Sequence, residues 1–243
     1  MLLAIDVGNT QIKSAVFEQD TLLQKEILSY SDWKNTLKNV LKKFPKIENM
    51  VVASVGKLRK EDFLDLSSLV KIHFITNESK FPFQNRYSTP NTLGIDRMVL
   101  AAGAVLQFPN VNRLVIDAGT CITYDFIDSN NNYLGGAISP GIRLRYESLH
   151  NYTAKLPLLT RENPENLIGD STHESIHSGV INGVTMEIDG FINLNLNKND
   201  NFIIILTGGD SDFLAKRLKN TIFANPNFLL ESLNQTFQYN HND

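Results

Sequence analysis

Residues 5–17 read IDVGNTQIKSAVF, and residues 116–126 read IDAGTCITYDF. Both follow one plan: an apolar strand, an Asp, a small turn holding Gly and Thr, then an outgoing strand. The two aspartates, Asp6 and Asp117, stand 111 residues apart. A plan repeated at that distance predicts two copies of one domain. The join falls near 107–112, where Phe108, Pro109 and Asn110 break a helical pattern. The chain therefore divides into residues 1–108 and 109–243, each with its own turn.

Working outward, Thr21 to Leu28 extends the first hairpin, and Ser31 and Asp32 offer a cap before a helix carrying Trp33, Leu37, Val40 and Leu41, which Pro45 stops. Met50–Val55 and Ile72–Ile75 read as strands, with a short helix over Glu61–Leu69 between them. Asp96–Leu106 reads as a helix, and Phe202–Leu206 as a buried strand followed by a helix over Ser211–Leu218. This alternation of strands and helices is the pattern of an α/β protein. The stretch Thr172–Phe191 places apolar residues at 176, 180, 184, 188 and 191, a long amphipathic helix with Asp170 and Ser171 as caps. Gly179 and Gly183 on it suggest a close approach, within the fold or across a dimer. The polar tail QTFQYNHND is expected to fray.

Length and composition narrow the function. The 243 residues make one large domain or two modest ones, since domains run to roughly 150 residues. With 42% hydrophobic and 20% charged residues, the chain is neither disordered nor fibrous. Its net charge of -3 supplies no basic field, so nucleic acid is not the expected partner. No apolar run approaches the ~18 residues of a membrane span, so no membrane partner is expected. The early Asp6 argues against a signal peptide, and the single Cys121 suits a reducing compartment, so a cytoplasmic protein is expected.

Two glycine turns, together with the later TGGD at 207–210, point to phosphate chemistry. Glycine lets backbone N–H groups approach phosphate oxygens, a Thr hydroxyl adds a donor, and an Asp at a strand end can hold magnesium, usually through water. Neither G-x-x-x-x-G-K-[ST] nor G-x-G-x-x-G occurs in the chain, so neither a P-loop nor a dinucleotide site is supported.

The motifs DVGNT (6–10), LGIDR (93–97), DAGT (117–120), GGAISPGI (135–142), TAKLP (153–157), the stretch from Ser171–Thr172 to Gly179, and TGGD resemble type III pantothenate kinases, in that family's order and over nearly the whole chain. The resemblance implies two ribonuclease H-like (actin-like ATPase) domains with a nucleotide cleft between them. It implies ATP-dependent phosphorylation of the primary hydroxyl of pantothenate, the first step of coenzyme A biosynthesis. Residue by residue, it implies that Asp6, Val7, Gly8, Asn9, Thr10, Gln11, Ile12 and Lys13 bind ATP phosphates, with Asp6 supporting magnesium through water and Thr120 touching ATP. Asp96 would accept the proton of the acceptor hydroxyl, and Tyr87, Gly94, Ile95 and Arg97 would line the pantothenate site with it. Thr172 would reach that site from the other subunit of a homodimer, and Asp117 would hold a monovalent cation, K+ or NH4+.

Plainer readings stand beside these. Asp96 or Thr172 can serve as a helix cap, Tyr87 can be a loop aromatic packed on the core, and Arg97 can face a substrate carboxylate or a nearby acid. A non-catalytic relative would be expected to lose Asp6, Asp96 or Asp117, and all three are present. A kinase of the same superfamily acting on another small hydroxylated substrate is the other alternative. His173, Glu174 and His177 spell H-E-x-x-H, but the metzincin continuation is missing, with Val180 and Gly183 at its positions. Both histidines are read as helix-surface or interface residues. Cys121 is read as a small buried hydrophobe. Ser232, where the family pattern leads one to expect glycine, leaves the last helix in doubt.

Overall fold

The computed structural model describes residues 1–196 and 202–241, which form two compact units. The first takes Met1–Pro109, Asn130–Leu134 and Asn227–Asp243; the second takes Asn110–Ser129 and Gly135–Pro226.

In the first unit, β1 (Leu2–Val7), β2 (Ile12–Glu18) and β3 (Thr21–Leu28) form an antiparallel meander. Helix α1 (Trp33–Lys43) then buries Trp33, Leu37 and Val40, spaced four and three apart, and ends ahead of Pro45. Strands β4 (Asn49–Ser54) and β5 (Lys71–Phe74) follow, joined by a 3-10 segment, Lys60–Leu66. β4 runs parallel to β1, and β5 parallel to β4, giving the order β3-β2-β1-β4-β5. β1 is buried along its whole length, as suits a central strand.

Short β6 (Gln84–Asn85) pairs with Asn132 and Tyr133, the opening residues of β9 (Asn132–Pro140). Helix α2 (Ile95–Gln107) presents Ala101, Ala102, Gly103 and Ala104, small residues that let α7 (Phe228–His241) come close. A β-carbon on Gly103 would lie 3.0 Å from the Cα of Ser232.

The polar tail is therefore helical, contrary to the fraying expected of it. Residues 235–241 belong to α7, which packs on α2, β1, β2 and β4. Its amides find partners: Asn234 Nδ2 donates to the Gln19 carbonyl at 2.9 Å, and Asn240 accepts from the Lys80 amide and donates to its carbonyl, both at 3.0 Å. Asn242 and Asp243 lie outside the described residues.

The second unit repeats the scheme. β7 (Asn112–Ala118) and β8 (Cys121–Ile127) are antiparallel, and the order is β11-β10-β7-β8-β9, with β10 (Phe202–Thr207) parallel to β7 and β11 (Phe223–Ala224) parallel to β10. Helix α3 (Ile142–Asn151) follows β9, and α6 (Ser211–Ala215) follows β10. The long helix anticipated over Thr172–Phe191 is α4 (Thr172–His177) and α5 (Gly183–Leu196), joined by a π turn, Ser178–Asn182. Ile176, Val180, Val184 and Ile188 face the core with Leu114, Ile116 and Tyr124. Each fully buried Leu or Ile contributes roughly 1.5–3 kcal/mol.

Candidate active site

The first turn leaves the carboxyl end of β1, where ligands gather in sheets with parallel strands. Asp6 is buried at 5% exposure, and Lys13 is its cross-strand partner on β2. The Gly8 amide donates to the Gln11 carbonyl at 3.1 Å, and the Tyr30 hydroxyl donates to the Gly8 carbonyl. The amides of Val55 and Gly56, just past β4, both donate to the Val7 carbonyl at 3.0 Å. Val7 and Ile12 are buried and anchor the turn, while Asn9, Thr10 and Gln11 are exposed. Gly56 must be glycine, because a β-carbon there would come within 2.5 Å of the Gly8 oxygen.

The second turn is built alike. Asp117 is half-buried and next to last in β7, beside Ala118, whose carbonyl accepts from the Asp210 amide at 3.0 Å, the counterpart of the bond from Gly56 to Val7. Gly119 N–H donates to the Cys121 carbonyl at 2.9 Å, and Gly141 N–H to the Thr120 carbonyl at 3.0 Å. Gly208 has φ +96°, and a β-carbon on it would lie 2.6 Å from the Ala118 carbonyl carbon. Gly141 and Gly208 lie in the motifs GGAISPGI and TGGD that the sequence put forward, while the contributions of Tyr30 and Gly56 to the first turn were not singled out from sequence. Gly56 and TGGD play matching parts, each following the strand that runs parallel beside the Asp-bearing one.

In the first unit, Tyr87 and the start of α2 come together. The N-cap of α2 is Gly94, so Asp96 lies in the first helical turn and is not the cap; its Oδ1 accepts from the Arg97 amide at 2.9 Å. Burial pushes the Asp96 carboxyl above the ordinary aspartate value of 3.8, and the Arg97 amide and charge offset only part of this. Arg97 is buried at 6% exposure, with its guanidinium 5.9 Å from the Tyr87 ring centre, and Tyr87 packs edge-on to Tyr133 at 6.2 Å. Ile95 borders a cavity of about 680 Å³ with Ser54, Gly56, Arg59, Phe74 and Thr76.

In the second unit, Thr172 opens α4 and is exposed, while Ser171, not Thr172, caps the helix by accepting from the Glu174 amide at 3.2 Å. A cavity of about 560 Å³ lies against Gly209 and Asp210, walled by Ile142, Tyr146, Leu158 and Arg161. A β-carbon on Gly179 or Gly183 would meet nothing within 4 Å.

Two readings need correction. His177 is not a surface residue: it is buried at 5% exposure with Nδ1 2.8 Å from the Tyr146 hydroxyl, while His173 is exposed. Cys121 is exposed rather than buried, because it opens β8 on the side facing away from Ile122 and Tyr124.

The family model described as type III pantothenate kinase matches residues 2–194. The chain is 63% identical over 239 residues to the type III pantothenate kinase of Flavobacterium johnsoniae, covering 98% of each chain. It is 64% identical over 239 residues to that of Flavobacterium psychrophilum, covering 98% of this chain and 99% of the relative. The chain belongs to the type III pantothenate kinase family. Its fold is shared with a Campylobacter jejuni crystal structure described as a conserved Baf family transcriptional activator, at TM-score 0.64 and 24% identity over 99% and 100% of the two chains. The strand order repeated in both units is that of the actin-like ATPase fold expected for the family.

Family membership brings ATP with a divalent metal. Among the described residues no group of three or more His, Cys, Asp or Glu could hold a metal alone. A single carboxylate at the end of a strand, as Asp6 offers, suits magnesium, which keeps much of its water and shares substrate phosphates. No helix among the described residues is long and apolar enough to cross a membrane.

Proposed function

We propose that this protein transfers the γ-phosphoryl group of ATP to the primary hydroxyl of pantothenate, opening coenzyme A biosynthesis. The observation that carries this reading is the grouping of Asp96, Arg97 and Tyr87 at the start of α2, in a chain belonging to this family. Phosphoryl transfer asks the protein mainly for positioning and charge stabilisation. The turn from Asp6 to Lys13 takes the ATP phosphates, and Thr120 touches ATP. Magnesium, when bound, neutralises charge on the phosphate oxygens, and Asp6 holds it through water.

Asp96 accepts the acceptor hydroxyl's proton. Its burial-raised basicity suits that task better than that of a solvated carboxylate. Gly94, Ile95, Arg97 and Tyr87 hold pantothenate, with the Arg97 guanidinium paired to its carboxylate. Asp117 is the ligand proposed for a monovalent cation, K+ or NH4+. The protein acts as a cytoplasmic homodimer in which Thr172 completes the neighbouring subunit's acceptor site. Residues 1–108 and 109–243 descend from one duplicated domain.

The test is ADP release with ATP, magnesium and pantothenate, run in potassium and in sodium. Pantothenate-dependent release is the expected result, faster in potassium. Release without dependence on pantothenate removes the acceptor assignment, and equal rates in both salts remove the cation assignment.

A further inference from the structure

Residues 161–171, which lead to Thr172, contain no helix or strand, yet side-chain contacts hold them at every second position from 161 to 169. Arg161 pairs with Asp210, and its guanidinium lies 4.6 Å from the Phe213 ring centre. Asn163 Oδ1 accepts from Arg217 Nη1 at 2.9 Å. The Glu165 amide donates to Glu174 at 3.3 Å, Ser178 Oγ donates to the Leu167 carbonyl, and Ser175 Oγ donates to the Gly169 carbonyl at 3.2 Å.

Arg217 is the member that reaches furthest. Its Nη2 donates to Asn182 Oδ1 at 2.8 Å, and Asn182 Nδ2 donates on to Ser178 Oγ at 3.1 Å. Ser178 and Asn182 are the two ends of the π turn. A π turn carries one residue more than an α turn, so it rotates everything before it by about 100° relative to the helix that follows. The direction in which α4 presents Thr172 is therefore set by this turn, and Arg217 ties the turn to the segment before Thr172. The arrangement has a cost: Arg217 Nε is buried with no hydrogen-bond partner among the described residues. A core chosen for stability alone has no need of a half-satisfied guanidinium.

We propose that Arg217 is a positioning residue for phosphoryl acceptance: by bridging Asn163 and Asn182 it fixes residues 161–171 and the π turn, and through them the orientation in which Thr172 meets pantothenate. This rests on the pantothenate kinase reading and on the role proposed there for Thr172. Arg217 itself touches neither substrate.

The test uses the full chain, with ADP release measured against pantothenate at saturating ATP and against ATP at saturating pantothenate, for wild type, Arg217→Met, Thr172→Ala and the double variant. Arg217→Met is expected to raise the pantothenate KM about tenfold while leaving kcat and the ATP KM within about twofold. In the Thr172→Ala background the same change is expected to add less than about twofold, because the residue it acts through is already gone. A pantothenate KM unmoved by Arg217→Met overturns the proposal, as does an effect that multiplies in full with that of Thr172→Ala. Should Arg217→Met fail to fold, Asn163→Ala and Asn182→Ala each cut one arm of the bridge and are held to the same two criteria. Wild-type protein that releases no ADP with pantothenate overturns the function reading itself, an outcome distinct from an active wild type with an indifferent Arg217.

Discussion

The carbonyl oxygen of Gly8 lies so close to Gly56 that a β-carbon on residue 56 would sit 2.5 Å from it and 2.6 Å from the Tyr30 hydroxyl. Gly56 is thus the floor on which the first turn rests. Gly56→Ala is expected to push the turn off its bonds to Val7 and Tyr30 and to raise the ATP KM by at least about tenfold, with the pantothenate KM little changed. Steady-state kinetics with each substrate varied in turn checks this; an ATP KM at the wild-type value would show that the turn tolerates the shift.

Asp96 carries opposite consequences for rate and for stability. Burial raises its pKa, so its folded-state contribution favours the protonated form and is lost as pH rises through the folded pKa; at neutral pH the ionised carboxylate is a burden. Asp96→Asn is expected to lose about a hundredfold or more in kcat and, at neutral pH, to melt at a higher temperature than wild type. The wild-type rate is expected to fall on the acid side at a pH above the ordinary aspartate value of 3.8. Melting curves and a pH–rate profile test both halves, and a variant as fast as wild type removes the proton-acceptor role.

Ser232 is fully buried against Gly103, and its hydroxyl is buried without a hydrogen-bond partner among the described residues. Removing an unsatisfied polar group from a packed helix crossing is expected to stabilise: Ser232→Ala should gain roughly 0.5–1.5 kcal/mol in urea unfolding. The reverse error, Gly103→Ala, drives a methyl group into Ser232 and should destabilise by about 2 kcal/mol or more.

His73 sits against His241, and it is the acid-sensitive member of the contact. Nδ1 of His73 lies 3.2 Å from Nε2 of His241, and Nε2 of His73 lies 3.0 Å from Asn49 Oδ1. Burial, with help from the charges of His241 and Lys71, lowers the His73 pKa from 6.5. A depressed folded-state value makes the contribution full above pH 6.5 and lost as pH falls through the folded pKa. Wild type is expected to lose stability over that window more steeply than His73→Gln. Parallel slopes in urea midpoints from pH 7.5 down to pH 5 would discard the idea.

What the sequence made legible was what it holds locally. The two Asp-bearing turns and their flanking strands are each continuous in the chain, so pattern and spacing reveal them, whereas the cluster from Gly94 to Arg97 came from the resemblance of LGIDR to the family's motif. The floor of each turn comes from a strand far along the chain, Gly56 beneath Val7 and Asp210 beside Ala118, and no local pattern announces that pairing. The tail looked solvated because its amides are polar, yet Gln238 and Asn240 direct that polarity to the backbone of residues 19 and 80. His177 looked exposed as half of a surface motif, but it is buried against the Tyr146 hydroxyl, a contact 31 positions away in the chain.

The exposure of Cys121 has a practical side. It is the chain's single cysteine and it stands immediately after Thr120, at the rim of the second turn. One thiol-reactive fluorophore would therefore attach at one known place per chain, without any engineering, and a change or constancy of its emission on adding ATP would report whether a nucleotide reaches that rim.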